Sequence, residues 1–321
     1  MTRLSTTKEQ RRQYAYVGFC MTAMLILGFL LPNLSALTMR FLWPGYARHP
    51  WVMMSVNYGL YYLLAYPYVI LLLRLRTVGV PPKNKMKFHQ LLAAIPVCSA
   101  LTYFGNIIGS ILNQFIGLMR GTVPDNQLEG LVDQLDPWII LVFVVIVGPI
   151  MEELLFRKAL TDALYPFGET ACICLGALIF GLIHGNFYQF FYAFLVGALL
   201  TLIYCRTGKL RYTIFLHMFL NFQGSIIAPK IISLIDITLL SEGKVVELFT
   251  QNPWGTLVYI GYTIFLLAFN LLGTVLLILG YKKLPLKSAA VPMKHPLLSA
   301  LCNVGIPVFL VCAAVMIVIQ L

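Results

Sequence analysis

Val144-Val-Ile-Val-Gly-Pro-Ile-Met-Glu-Glu-Leu-Leu-Phe-Arg157 decides how this chain is built, because it sets two adjacent carboxylates, Glu152 and Glu153, inside an apolar run. The run extends from Trp138 to Ala159, and a predominantly apolar stretch of about 20 residues has the length of a helix that crosses a bilayer. A charge in the middle of such a helix costs about 2.5–3.5 kcal/mol on insertion scales, so residues of this kind face the interior of a bundle and are put to use there. Of the twelve acidic residues, only Glu152 and Glu153 lie within an apolar span.

The rest of the chain repeats the apolar pattern. Hydrophobic residues fill 60% of the 321 positions and charged residues 11%, against about 25% charged in an ordinary soluble domain, and the mean hydropathy is +0.84. Apolar windows fall at Tyr14–Met39, Trp51–Leu73, Gln90–Met119, Trp138–Ala159, Thr170–Gly185, Phe187–Cys205, Tyr212–Pro229, Trp254–Tyr281 and Leu297–Leu321. The expected fold is all-α: a polytopic transmembrane helical bundle of about nine helices (eight to nine) with its active site in a polar intramembrane cavity. Only Gly185 and Asn186 separate the fifth and sixth windows, which predicts a tight hairpin or a re-entrant piece there. Leu234–Leu248 reads as a short interfacial helix. Three sections follow: N-terminal helices over 1–137, a catalytic helical core over 138–229, and an outer segment with C-terminal helices over 230–321.

The net charge of +11 does not point to nucleic acid, since the cations are strung between apolar spans rather than gathered in one patch. With the amino terminus inside, 18 of the 23 lysines and arginines, from Arg3 to Lys294, fall on the inner side, as the positive-inside rule requires. Asp125, Glu129, Asp133, Asp136, Asp236, Glu242 and Glu247 fall on the other. Met1–Gln13 is polar and basic and runs into a span too long for a signal-peptide core, so the first helix is expected to be retained. The expected location is a bacterial plasma membrane, multi-pass, with the amino terminus cytoplasmic. The seven cysteines lie in or beside apolar runs, where thiols serve as small packing residues rather than a disulfide framework. Cys172 and Cys174 point about 200° apart on a helix, a poor ligand pair.

Histidine sharpens the reading. His49, His89 and His295 lie in loops or at span edges, whereas His184 and His217 are inside apolar helices. Either one alone is a packing residue in most proteins; two beside two membrane-embedded glutamates are a reactive set. Glu153 and Arg157 are four apart and share a helix face, where they can pair, or simply snorkel at the inner interface. Glu152 lies about 100° round the helix from Glu153 and is free for other work. Phe180 and His184 repeat the four-residue spacing on the fifth span, and His217 and Asn221 on the seventh. Gly148-Pro149 is expected to kink the fourth span and loosen its backbone bonding.

In order and type, Glu152-Glu153-x-x-x-Arg157, Phe180-x-x-x-His184 and His217-x-x-x-Asn221 resemble the three signature motifs of the CaaX prenyl protease and bacteriocin-processing (CPBP, or Abi) family of intramembrane endopeptidases, and the chain is similar to the type 2 CaaX prenyl proteases. The resemblance covers Trp138 to Pro229. It implies a glutamic-type protease without a metal or other cofactor, in which Glu152 is the general base and His184 its partner in holding a water. His217 and Asn221 would stabilise the oxyanion, and Glu153 with Arg157 would position the site. The implied substrate is a membrane-associated or lipidated peptide or protein, with membrane lipids as the surrounding partner.

The same residues admit other readings. Glu152, His184 and His217 are zinc-ligand types, and Glu152 with Glu153 could serve a proton- or cation-coupled transporter; a non-catalytic membrane adaptor is a further class. Rival intramembrane proteases are disfavoured by the lack of a His-Glu-x-x-His zinc motif, a Gly-x-Ser-x-Gly serine motif and any aspartate within a span. One feature resists the motif set. At about 1.5 Å per residue, Glu152 and His184 stand more than about 20 Å from the inner turns near Pro166 and Lys209, but His217 only about 12 Å. Either the fourth helix extends beyond the bilayer, or the fifth is tilted or broken near Gly181.

Overall fold

The computed structural model describes residues 7–124, 126, 130, 135–281, 285–287 and 296–321. Arg3, Asp125, Glu129, Asp133, Lys282, Lys283, Lys294 and His295 lie outside these. Every described element is helical: α1 (Thr7–Leu42), α2 (Pro50–Leu75), α3 (Phe88–Arg120), α4 (Pro137–Phe167), α5 (Glu169–Leu182), α6 (Phe187–Thr207) and α7 (Leu210–Phe222, continuing to Ile232). Two short helices, α8 (Ile237–Ser241) and α9 (Val245–Gln251), then lead to α10 (Pro253–Tyr281), α11 (Pro296–Leu301) and α12 (Gly305–Gln320). Six of them, α1, α2, α3, α4, α6 and α10, are long and apolar enough to cross a membrane, and α5 and α12 are shorter apolar helices. The protein is an all-α integral membrane bundle.

Helix starts follow local chemistry. Pro50, Pro137 and Pro253 each open a helix, where a missing N–H costs nothing. The Asp136 carboxylate accepts from the Trp138 N–H at 2.8 Å and so caps α4. The fifth and sixth windows form a tight turn: Gly185 takes φ +71°, which an L side chain rarely adopts, and the Asn186 side chain accepts from Gln189 N to start α6. In place of one interfacial helix over Leu234–Leu248 there are two, α8 and α9, and the last window divides at 302–304 into α11 and α12.

Prolines inside the spans widen the helix without breaking it. Turns of π-helix occupy Tyr61–Ala65, Leu141–Val147 and Gln223–Ile227, and each is followed within two residues by a proline: Pro67, Pro149 and Pro229. A proline cannot donate to the carbonyl one turn back and its ring collides with it; widening the preceding turn relieves the collision. The expected kink at Gly148-Pro149 is therefore a π-turn in a continuous helix. A fourth π stretch, Glu153–Thr161, follows after the α-helical turn Gly148–Glu152.

The main core gathers α1, α2, α4, α5 and α12 around residues such as Tyr14, Met21, Leu73, Phe156, Phe167 and Phe309. A second packs α3 against α6 and α7 through Cys98, Val196, Leu200 and Leu216. At the basic end of the bundle, Arg206 pairs with Glu169 at 2.7 Å and donates to the Pro285 carbonyl, while Lys287 N donates to Glu169. The chain leaving α10 is thereby strapped to the junction of α5 and α6.

Candidate active site

Three elements meet at the site: α4 brings Glu152, Glu153 and Arg157, the turn after α5 brings His184, and α7 brings His217 and Asn221. His217 is the hub. Its Nδ1 lies 3.0 Å from Glu153 Oε1 and its Nε2 3.7 Å from Glu152 Oε2, so one imidazole spans two consecutive carboxylates. Thr213, one turn before His217 on α7, lies close to Glu153, while its hydroxyl donates to the Leu210 carbonyl at 3.1 Å.

Glu153 and Arg157 are fully buried, with Arg157 Nε 3.2 Å from Glu153 Oε2. The snorkelling pair at the interface is thus corrected: both groups are enclosed by protein. The guanidinium lies 4.2 Å over the centre of the Phe180 ring, a cation–π contact that supports a charge where no water reaches. The same ring meets His184 edge-on at 5.2 Å and His217 at 5.9 Å. Phe180 therefore stands between all three polar elements.

His184 Nδ1 lies 2.8 Å from the Phe180 carbonyl oxygen. A carbonyl only accepts, so Nδ1 carries the proton and Nε2 presents its lone pair to the interior. Glu152, which keeps 21% of its side chain exposed, lies within electrostatic reach of His184. Asn221 has a different employment. Its Nδ2 donates to the Val144 carbonyl at 2.8 Å. That carbonyl has no backbone donor because Gly148 N–H turns to Phe143 O and Pro149 has no N–H. Asn221 thus satisfies the acceptor that the proline orphans, leaving its second N–H for other use.

The depth mismatch resolves in favour of a long fourth helix. α4 runs unbroken to Phe167, and Asp162 at its lower end accepts from the Tyr204 hydroxyl near the end of α6. Its lower turns therefore reach the level where α7 begins, which places Glu153 opposite His217. α5 is continuous through Gly181.

Sequence reasoning missed the tyrosines. Tyr58, Tyr61, Tyr62 and Tyr66 on α2 form an aromatic cluster in which Tyr58 and Tyr62 stack, Tyr61 meets Tyr66 edge-on and the other pairs are tilted, and all four lie within electrostatic reach of Glu152. A Cβ placed on Gly148 would lie 3.3 Å from Tyr62 Oη and 4.0 Å from Glu152 Oε1, so both oxygens border one small space that only glycine leaves open. The signal for these tyrosines was faint, since phenols in an apolar span are ordinary. Thr213 was findable from its four-residue spacing to His217 and Asn221.

Comparison with known proteins points to the same region. Residues 134–223 match the family model described as Type II CAAX prenyl endopeptidase Rce1-like. The chain is 31% identical over 163 residues to YdiL of Bacillus subtilis (strain 168), described as a candidate membrane peptidase, and the similarity covers 48% of this chain and 64% of that relative, less than two thirds of its length. No solved structure matches.

Proposed function

We propose, from the match of residues 134–223 to the Rce1-like CAAX prenyl endopeptidase family model, that this chain is an intramembrane endopeptidase using Glu152 to activate water. Its substrate is a membrane-associated or lipidated peptide or protein, and the working location is a bacterial plasma membrane with the amino terminus cytoplasmic. The observation that carries the proposal is His217, seated between Glu153 at 3.0 Å and Glu152 at 3.7 Å inside an apolar bundle.

In this reading Glu152 takes a proton from the attacking water while His184 Nε2 accepts that water's other hydrogen bond. Oxygen adds to the carbonyl carbon, and the carbonyl electron pair moves onto its oxygen. In this step His217 acts as the imidazolium: its Nδ1–H is given to Glu153, and its Nε2–H faces the reacting space and holds the oxyanion together with the second N–H of Asn221. Collapse breaks the C–N bond, and the proton on Glu152 passes to the leaving amine. Glu153 and Arg157 touch no substrate; they fix the ring of His217.

A zinc-dependent variant fits less well: Nδ1 engagement by Phe180 and Glu153 would leave both Nε2 atoms to a metal, but among the described residues no three His, Cys, Asp or Glu side chains gather as a metal-binding group.

Membrane peptidomics of cells carrying wild type or Glu152→Ala identifies peptides to test on the purified protein in nanodiscs. Glu152→Ala is expected to lower turnover by about 100-fold or more, and unchanged turnover would reject the mechanism. Activity is expected to survive chelators; loss restored by zinc would install the metal reading. Glu152-dependent ion flux across liposomes with no cleavage would favour a transporter.

A further inference from the structure

A cavity of about 440 Å³ lies between α1, α2 and α12, and Ile183 is the one residue of its lining that falls within residues 134–223. Its inner wall is Tyr58, Tyr61 and Ile183. Both tyrosines pack against the ring of Tyr62, whose hydroxyl borders the space at Gly148 that Glu152 also borders, and Ile183 directly precedes His184. At the other end it reaches Phe29 and Asn33 on the outward side of α1, where Phe29 is 45% exposed. The cavity thus leads from the outside of the bundle to the flank of the glutamates.

We infer that this cavity is the lateral access and binding subsite for an uncharged, extended stretch of substrate peptide beside the bond that is cut. The inference rests on the proposed hydrolysis for its catalytic meaning. Three features select the occupant. No lysine, arginine, histidine, aspartate or glutamate lines the cavity, so a charged side chain or a terminal carboxylate would lose its water there without gaining a partner. Asn33, Asn57 and Gln320 supply carboxamides, and Gln320 Oε1 is buried without a hydrogen-bond partner. Asn33 spends its Nδ2 on the Phe29 carbonyl, which leaves its Oδ1 to accept. Backbone amides satisfy such groups, whereas an acyl chain leaves them unpaired. Met24, Met54 and Met316 form the apolar wall, and flexible thioethers adapt to side chains of different shape. The volume lies within the range of about 300–1,000 Å³ typical of ligand sites.

Photo-crosslinking in nanodiscs tests this with the Glu152→Ala protein, which holds peptide without cutting it. Three probes are compared: a short valine- and leucine-rich peptide carrying benzoylphenylalanine, the same peptide with lysines beside the photoreactive residue, and a phospholipid with a benzophenone-tagged acyl chain. Benzophenone inserts readily at methionine, so the uncharged peptide is expected to mark Met24, Met54 and Met316. The lysine peptide is expected to mark them about tenfold less, as is the uncharged peptide on Asn57→Leu or on Met316→Trp read at Met24 and Met54, equivalent to about 1.4 kcal/mol. Absent adducts, adducts elsewhere, or equal labelling by both peptides would overturn the inference. Labelling by the lipid alone would assign the cavity to an acyl chain and overturn it too. Adducts at the methionines with no cleavage of any peptide by wild type would sink the hydrolysis and leave the subsite; cleavage without adducts would do the reverse.

Discussion

A guanidinium shielded from all solvent keeps its charge only if the protein replaces the lost water, and Arg157 has Glu153 one turn earlier and the face of Phe180 to do so. Removing one partner of a buried ion pair strands the other. Arg157→Met is therefore expected to destabilise the protein by about 3–5 kcal/mol, read as thermal unfolding in detergent. Arg157→Lys should fall between it and wild type, because an ammonium restores the charge without the planar stack. Gly148 works at the same scale by lacking a side chain. The methyl of Gly148→Ala would stand 3.1 Å from the Phe143 oxygen and 3.3 Å from Tyr62 Oη, inside the space beside Glu152. Turnover is expected to drop by about 100-fold, the cost of a displacement near 1 Å at a reacting centre, while the bundle still folds. Full activity of this variant would show that the space plays no part.

Among the elements, α4 and α7 are coupled by a repair. Pro149 deprives the Val144 carbonyl of its donor and Asn221 supplies one from the neighbouring helix. An unpaired carbonyl costs about 1–3 kcal/mol, so Asn221→Ala is expected to lose about that much stability as well as activity. Pro149→Ala restores an N–H at the position that faces Val144 across the π-turn. The double variant is expected to recover the stability but not the turnover, which separates the structural role of Asn221 from its proposed part in holding the oxyanion. Recovery of both in thermal and cleavage assays would assign Asn221 to structure alone.

Across the whole molecule, charge distribution sets the orientation proposed for the bundle. In a cysteine-free background, Lys85→Cys is expected to resist a membrane-impermeant maleimide in intact cells and react after permeabilisation, whereas Glu242→Cys reacts in intact cells. The opposite pattern would invert the topology. The strap at the basic end belongs to this scale as well: among the described residues, buried Glu169 is satisfied through Arg206 and the backbone of Lys287. Arg206→Ala is expected to lower thermal stability by leaving Glu169 charged and unpaired, with no direct effect at a site on α4 and α7.

Hydrophobic runs broken by loops of cations are enough to specify an all-α membrane bundle, because in lipid a helix must satisfy its own backbone. The same logic marks Glu152, Glu153, His184 and His217, since polar groups at that depth are costly. Four-residue spacing also discloses the Glu153–Arg157 pair, a contact within one helix. Contacts between helices depend on rotation, tilt and depth, which no local pattern encodes. Only the folded bundle decided that His217 rather than His184 lies against both glutamates, that Asn221 answers the orphaned Val144 carbonyl, and that Tyr62 from α2 borders the space beside Glu152. Each of these depends on how far α4 extends and where its π-turns rotate the side chains, a property of packing between helices distant in sequence.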